Sequence, residues 1–288
     1  MTEKTPVISV IASGINVKFW KQLHESLSKN EIDFEIIITG HIKPRFKLPP
    51  NFKHIYSETK PAQCAEISAR NASGEFVMQI GDDVLFSPNH LDILLEFYNE
   101  NCTDKDCISG IFKRNGSAFS IEDYKFWPGV KDSPVLPVCI LLKTSLWRSL
   151  GGCDRRFIGV FWNIDLVLRL LANGGKTYLC NTCSCEEIFS KKKASIFEIY
   201  FNKIIVKLKY HLFGIRIGDG LYQEYGIQHD RPLLDSFWTK PTKDLFNTEE
   251  FYASKDGYTH LVKRKTAVEP FDNKDILNLS QSHKGRWK

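Results

Sequence analysis

The sequence has no long apolar segment and no strong excess of charge of one sign. Its longest clean apolar run covers residues 138–142 and extends back past Pro137 only to Val135. A helix that spans a bilayer needs about 20 apolar residues. Because the N-terminus also lacks an apolar stretch with a small-residue cleavage site, we expect a cytoplasmic protein, soluble or peripherally attached to a membrane.

The charge balance is mild, with 39 Lys and Arg against 34 Asp and Glu and a net charge of +5. This excess suits an anionic ligand but is too small to predict a nucleic-acid-binding protein. The 288 residues, 42% of them hydrophobic, can form one large domain or two small ones, at roughly 100–200 residues each.

The sequence also lacks a second closely spaced pair of cysteines of the kind that completes a structural zinc site. Three of the eight cysteines lie in the segment CNTCSC at 180–185. Structural zinc sites usually combine two closely spaced pairs, and the other available pair, Cys102 with Cys107, is loosely spaced. We therefore favour free thiols in a reducing compartment, with a zinc site as the alternative.

Short β-branched apolar segments alternate with amphipathic ones. Residues 7–12 and 34–39 are predicted strands on either side of a helix at 17–28, which is the unit of a parallel sheet. The same patterns predict strands near 54–56, 75–80, 107–113, 135–142 and 176–180, and helical segments at 61–71, 146–150 and 165–172. A further helix, with Ser87 as its N-cap and Pro88 in its first turn, carries an apolar stripe from Leu91 to Tyr98.

Two adjacent carboxylates interrupt the apolar segment MQIGDDVLF at 78–86. Asp82 and Asp83 follow a predicted strand, and open α/β sheets bind ligands beyond the carboxyl ends of their strands. Like charges this close repel unless a cation or hydrogen-bond donors separate them. Mg²⁺ and Mn²⁺ prefer such oxygen ligands and often join carboxylates to phosphates. The pair predicts a metal–diphosphate site, although Gly-Asp-Asp is also a common composition for a solvated turn.

Four segments in this order resemble a family 2 glycosyltransferase with the GT-A fold. They are the opening strand and helix at 7–27, SARNASG at 68–74, IGDDV at 80–84 and GGCDRRFIGVFWNIDLVLR at 151–169. The resemblance covers about residues 6–185 and implies a Rossmann-like, three-layer α/β/α domain with a mostly parallel sheet at 1–190. Residues 191–288 would form a helical and irregular C-terminal extension.

The resemblance also implies an activity. A sugar would pass from a nucleotide diphosphate sugar to a glycan or lipid-linked acceptor, with inversion in one displacement. A divalent metal, Mn²⁺ or Mg²⁺, would neutralise the leaving diphosphate, and a carboxylate base would take the proton of the acceptor hydroxyl.

Several positions match the resembled motifs. Asp83 is expected to contact the metal, and Asp82 to contribute to the metal site or to face the ribose or the sugar. Ala12 and Ser13, at the end of the first strand, and Arg70 are expected to bind the nucleotide sugar. Arg70 is expected to contact a phosphate or to brace the metal loop, and the alternative is a surface arginine on its helix.

One departure from the resembled pattern concerns catalysis. Asn163 occupies the position of the usual catalytic base, and an amide does not accept a proton at neutral pH. Either Asp165 or Asp154 serves as the base, or the protein is a non-catalytic relative that binds a nucleotide sugar or a glycan as a scaffold. Trp162, next to Asn163, is expected either to stack on an acceptor sugar or to pack in the core.

Other departures concern the donor. Gly40-His41 stands where many relatives carry an Asp that reads uracil, so the sequence does not predict UDP specificity. A metal-binding His after the last core strand has no match, and Glu186 or Glu187 could supply oxygen ligands instead. A sugar nucleotidyltransferase is a lesser alternative, because IASGINV at 11–17 lacks the Gly-rich basic loop typical of that class.

The segment at 191–213 combines an apolar helical stripe with lysines. It is predicted to be a helix docked on the catalytic domain with its lysines in water. The alternative is peripheral contact with an anionic membrane surface, which would suit a lipid-linked acceptor.

Overall fold

A mixed sheet of nine strands forms the centre of the computed structural model, which describes residues 5–125, 133, 135–188, 230–238 and 263–271. The strands are β1 (Ile8–Ser13), β2 (Phe34–Gly40), β3 (Phe52–Tyr56), β4 (Phe76–Gln79), β5 (Val84–Phe86), β6 (Cys107–Arg114), β7 (Ser117–Ala118), β8 (Ile140–Lys143) and β9 (Thr177–Glu187). The helices are α1 (Trp20–Leu27), α2 (Pro61–Arg70), α3 (His90–Asn101), α4 (Ile121–Tyr124), α5 (Thr144–Ser149) and α6 (Trp162–Ala172), and a 3₁₀ turn at Val17–Phe19 precedes α1.

The strand order, β3-β2-β1-β4-β8-β6-β9-β5, places the first and fourth strands at the middle of the sheet, with β7 paired to β6. Strands β1 to β4 pair in parallel, and β6 pairs in parallel with β9. Strand β8 runs antiparallel to both β4 and β6, so β4, β6 and β9 share one direction. The carboxyl ends of β1, β2, β4 and β9 therefore meet at one edge of the sheet, which we name the carboxyl edge.

Side chains alternate between the two faces of the sheet, as the pleat requires. Val10 of β1 packs with α1 and α3 in one apolar cluster, and its neighbour Ile11 packs with α2, α5 and α6 in the other. Burial on both faces explains why these strands have almost unbroken apolar sequences. Helix α6 leads back to the start of β9, so its first turn points toward the carboxyl edge.

Several predicted boundaries were wrong, among them the end of the last core strand, which runs to Glu187 rather than to residue 180. The third helix begins at His90 rather than near Ser87, because the backbone of Ser87 still pairs with Ser184 of β9 and its hydroxyl accepts a hydrogen bond from the Ser184 N–H at 3.1 Å. The strand predicted at 135–142 is limited to β8, with Val135 forming only an isolated bridge to Lys125.

The described parts of the C-terminal region pack against the first 190 residues. Residues 230–237 are helical, and Leu234, Phe237, Trp238 and Phe271 belong to the cluster beneath α2, α5 and α6. The predicted helix at 191–213 lies outside the described residues. No helix within the described ranges is long and apolar enough to cross a bilayer.

The CNTCSC segment lies within β9. Its three cysteines are buried, and all eight cysteines of the chain are free thiols. Burial raises the pKa of the Cys183 thiol, which makes it a poor nucleophile at neutral pH. The described part of the chain contains no group of three His, Cys, Asp or Glu side chains placed to hold a metal ion.

Candidate functional site

Asp82 anchors the loop that follows β1. Its carboxylate accepts hydrogen bonds from the backbone N–H groups of Ile15 (2.7 Å) and Asn16 (2.6 Å), from the Asn16 side-chain amide (2.9 Å) and from the Trp20 indole N–H (3.0 Å). The residue is only 4% exposed. Burial raises the pKa of Asp82, and these donors oppose the shift by stabilising the ionised form. The sequence pattern predicted a ligand contact here, and the structure adds a role in organising the loop.

Two glycines let that loop approach the neighbouring strand. A Cβ atom at Gly40 would lie 1.8 Å from the carbonyl oxygen of Gly14. A Cβ atom at Gly14 would lie 2.3 Å from Ile38 Cγ2 and 2.9 Å from Asp82 Oδ2. All three distances are below van der Waals contact, so glycine at both positions lets the carboxyl ends of β1 and β2 close around Asp82.

Asp83 is half-buried and faces a different environment. Burial, the adjacent Asp82 and the nearby Glu187 raise the pKa of Asp83 to about 6. Glu187 comes close because it pairs in register with Val84, across the short antiparallel ladder between β5 and β9. The guanidinium of Arg114 donates a hydrogen bond to Glu187 at 2.7 Å and partly offsets the negative charge around Asp83.

We name this group of Asp82, Asp83, Glu187 and Arg114 the acidic mouth. Asp83 lies near the carboxylates of Asp82 and Glu187 and only the guanidinium of Arg114 offsets their charge, so the mouth has a local excess of negative charge. The donors are oxygen atoms, which are the ligands that Mg²⁺ and Mn²⁺ prefer. Because Asp82 is largely occupied by hydrogen bonds, Asp83 and Glu187 fit a cation that takes its other ligands from water and substrate phosphates.

The two candidate bases lie in a second cluster, which we name the arginine network. It consists of Asp154 and Asp165 with Arg156, Arg169 and Arg264. Asp154 is fully buried and accepts hydrogen bonds from Arg156 (2.7 and 2.9 Å) and Arg264 (2.7 Å). Asp165 is also fully buried and accepts hydrogen bonds from Arg169 (2.9 Å), the Trp238 indole (2.8 Å) and Arg264 (3.2 Å).

These contacts determine what the two carboxylates can do. The hydrogen bonds to Asp154 outweigh the opposing effect of its burial and lower its pKa to about 2. A weakly basic carboxylate without solvent access is poorly suited to take a proton from a substrate. The geometry therefore favours a structural role for Asp154 and Asp165, in which they attach Arg264 from the C-terminal region to the first part of the chain.

Asn163 and Trp162 occupy the first turn of α6. Asn163 is half-buried. Trp162 is only 6% exposed and packs edge-to-face on Trp147, with ring centroids 6.4 Å apart. Of the two interpretations open for Trp162, the structure places the ring in the core, where stacking on an acceptor sugar would require the site to open.

Arg70 lies at the last residue of α2, away from the acidic mouth. Its guanidinium donates to Glu66 at 2.8 Å and to the carbonyl of Phe271. Residues 71–74 then lead back to the amino end of the sheet, where Gly74 N–H donates to Ser9. Arg70 lines a cavity of about 380 Å³ between α2, α5 and the Gly151-Gly152 turn. Glu66 in turn accepts a hydrogen bond from the Cys153 N–H at 3.0 Å, next to that turn, so these contacts favour a structural role for Arg70 over contact with a phosphate at the mouth.

The end of β1 does lie beside the mouth. Ala12 is buried, and its carbonyl accepts a hydrogen bond from the Ser68 hydroxyl at 3.1 Å. Ser13 is half-buried and directly precedes the Gly14 loop that surrounds Asp82. Their predicted contact with a nucleotide sugar stays a prediction.

Sequence reasoning missed the contribution of the C-terminal region. The fully buried Asp230 accepts hydrogen bonds from three successive backbone N–H groups, those of Ile158, Gly159 and Val160, at 2.7 to 3.2 Å. Together with Arg264, it holds the segment before α6 from the far end of the chain. No local motif marks either residue, because their partners are separated from them by 70 or more positions.

Comparisons with known proteins define the fold. No protein-family model and no curated protein matches the chain. Among solved structures, S. aureus TarS in its 1–349 form with UDP aligns at a TM-score of 0.52 and 15% identity, over 95% of this chain and 89% of that chain. GalNAc-T7 with UDP, GalNAc and Mn²⁺ aligns at a TM-score of 0.53 and 14% identity, over 81% of this chain and 52% of that chain.

A longer TarS structure aligns at a TM-score of 0.50 and 16% identity, over 72% of this chain and only 44% of that chain. This chain therefore spans less than half of that TarS chain. At such low identities the likeness establishes the fold alone. The chain has the GT-A fold of glycosyltransferases, which confirms the predicted fold class.

Proposed function

We propose that this chain binds a nucleotide diphosphate sugar at the acidic mouth and transfers the sugar to a glycan or lipid-linked acceptor, with inversion and with the help of Mn²⁺ or Mg²⁺. The observation that carries the proposal is the position of Asp83 beside Glu187 at the carboxyl edge of a GT-A sheet. Ligands of open α/β sheets bind at this edge.

The residues of the mouth support a division of roles. Asp82 fixes the Gly14 loop, and the end of β1 at Ala12 and Ser13 would border the nucleotide. Asp83 and Glu187 would hold the divalent cation, which would neutralise the leaving diphosphate when bound. Arg114, 2.7 Å from Glu187, is positioned to exchange that carboxylate for a phosphate oxygen.

The solved neighbours with the same fold support the donor class. TarS has been solved with UDP, and GalNAc-T7 with UDP, GalNAc and Mn²⁺. The arginines that hold Asp154 and Asp165 argue against either carboxylate as the base for the acceptor hydroxyl, and the assignment of the base stays a prediction. A base supplied by the acceptor or by another residue at the mouth is compatible with the proposal.

A second candidate is a non-catalytic protein that binds the same donor. The specific observation that favours it is Asn163 at the position of the usual base, together with the engaged state of both nearby aspartates. Such a protein would retain the acidic mouth and the donor affinity but would not release a nucleotide diphosphate.

One experiment separates the two candidates. The protein is incubated with Mn²⁺ and a panel of nucleotide sugars, with and without glycan acceptors, and free nucleotide diphosphate is measured beside the binding heat of each donor. Transfer is supported if release of nucleotide diphosphate disappears in Asp83→Asn. The control is Asp104→Asn, at a side chain that is 84% exposed, in which the release should persist. Binding without release supports the scaffold, and the absence of both contradicts the proposed site.

A further inference from the structure

A basic surface lies beside the acidic mouth. It consists of five exposed cations from the turn before α1, from α1 itself and from the loop after β2, which are Lys18, Lys21, Lys43, Arg45 and Lys47. We name it the basic face. One contact joins α1 to the loop, since Lys21 Nζ lies 4.8 Å from the centre of the Phe46 ring. A second joins the loop to β3, since Lys43 Nζ lies 4.8 Å from the centre of the Tyr56 ring.

The positive charge of this face is not balanced by ion pairs. None of its five cations takes part in a salt bridge within the described ranges. Two acids lie on the same elements: the exposed Glu25, one helical turn after Lys21 on α1, and the half-buried Glu58, which accepts a hydrogen bond from the Tyr56 hydroxyl at 2.7 Å. The face therefore has a substantial excess of positive charge.

The same face exposes apolar side chains. Ile42 is 40% exposed and Tyr56 is 39% exposed, and Ile121 is the one other large hydrophobic residue that is exposed within the described ranges. Ile42 immediately precedes Lys43, and Tyr56 is covered by the Lys43 ammonium. An exposed aliphatic side chain on a loop that carries unpaired cations is the composition of a surface that enters a lipid headgroup region.

We propose that the basic face docks on an anionic membrane surface, with Ile42 entering the headgroup region. A soluble polyanion would use the cations but would gain nothing from the exposed Ile42, so the combination favours lipid. This inference does not depend on the proposed glycosyl transfer.

Docking there would hold the mouth next to the bilayer. The loop of the basic face begins after Gly40, which contacts Gly14, and the residues after Gly14 are bound to Asp82. A lipid-linked acceptor would therefore need to travel only a short distance along the membrane to reach the mouth.

The test is sedimentation with vesicles. Vesicles of phosphatidylcholine alone and vesicles of equal parts phosphatidylcholine and phosphatidylglycerol are mixed with the full chain at low salt. We expect binding only to the anionic vesicles, and weaker binding as salt is added. In the variant K43E/K47E the partition constant should fall about tenfold or more, because each cation near an anionic surface strengthens binding several-fold.

The matched control is K105E/K176E, which makes the same charge change at two exposed lysines on the opposite edge of the sheet. This variant should bind nearly as well as the wild type. Ile42→Ser should weaken vesicle binding by about threefold while leaving retention on heparin unchanged.

Three results would overturn the proposal. Equal losses in the two double variants would show a nonspecific charge effect or binding through another segment such as 191–213. Retention on heparin without vesicle binding would identify a soluble polyanion as the partner. No affinity of the wild type for anionic vesicles would exclude lipid docking, and none of these results would bear on nucleotide-sugar binding at the mouth.

Discussion

The acidic mouth and the arginine network both contain aspartates, but the charge around these aspartates differs in the two clusters. In the mouth, burial and the charges of Asp82 and Glu187 outweigh the effect of Arg114, and the pKa of Asp83 rises to about 6. In the network, Asp154 and Asp165 are each held by two arginines, and the pKa of Asp154 falls to about 2. Carboxylates whose oxygens are occupied by protein donors, which include Asp82 as well as Asp154 and Asp165, stabilise the fold, whereas Asp83 is left with excess charge and is available to a ligand.

The comparison also separates two kinds of sequence signal. Adjacent aspartates after an apolar strand are a local pattern, and the mouth was found from them. The arginine network depends on Arg264, which is 99 residues away from Asp165. Substituting one carboxylate at a time should show whether the acidic mouth and the arginine network differ in their contributions to stability and to ligand binding, as their charges indicate.

Asp165→Ala should give the largest effect on stability. It leaves Arg264, Arg169 and the Trp238 indole without their shared acceptor in a buried position. Removing one partner of a buried ion pair costs about 3–5 kcal/mol of unfolding free energy. Urea denaturation followed by circular dichroism measures the loss. Asp104→Ala, at an exposed carboxylate, serves as the control, and an equally small effect in both variants would contradict the structural role of Asp165.

Asp82→Ala should cost about 2–4 kcal/mol, because the N–H groups of Ile15, Asn16 and Trp20 lose their acceptor. Asp82→Asn should cost less than half as much. An amide oxygen can still accept some of these bonds, and the charge itself is unfavourable there, since burial raises the pKa of Asp82. The same denaturation assay tests the ranking. An Asn variant that is less stable than the Ala variant would show that the negative charge holds the loop.

Asp154 should make the stability depend on pH in the acid range. Its pKa is lowered in the folded state, so its ionised form stabilises the fold at any pH above about 4, and this contribution is lost as the pH falls toward about 2. The loss is about 1–2 kcal/mol. Unfolding free energies of the wild type and Asp154→Asn, measured from pH 6 downward, should converge. A constant difference would mean that hydrogen-bond geometry rather than charge is responsible.

The sequence predicted the sheet and its edge because both follow from local patterns. Segments such as VISVIA and FEIIIT are buried on both faces, and the break at Gly81-Asp82-Asp83 marks where a strand ends. The roles of Arg70 and Trp162 were less predictable, because a helix-terminal arginine and an aromatic residue have the same local pattern whether they face a ligand or the core. Their environment is set by Phe271 and Trp147, which are distant in the chain.

Asp83→Asn should have the smallest effect on stability and the clearest effect on binding. The raised pKa means that the folded state favours the protonated form, so the unfolding free energy of the wild type falls as the pH rises from about 4 to about 6. Removing the charge should therefore leave stability at pH 7 unchanged or raise it by up to about 1 kcal/mol. Calorimetry with Mn²⁺ and a nucleotide sugar should show loss of the metal-dependent binding heat, since Glu187 alone provides too few protein ligands. Unchanged heat, or a stability loss as large as that of Asp82→Ala, would place Asp83 with the structural carboxylates and remove the contrast between the mouth and the network.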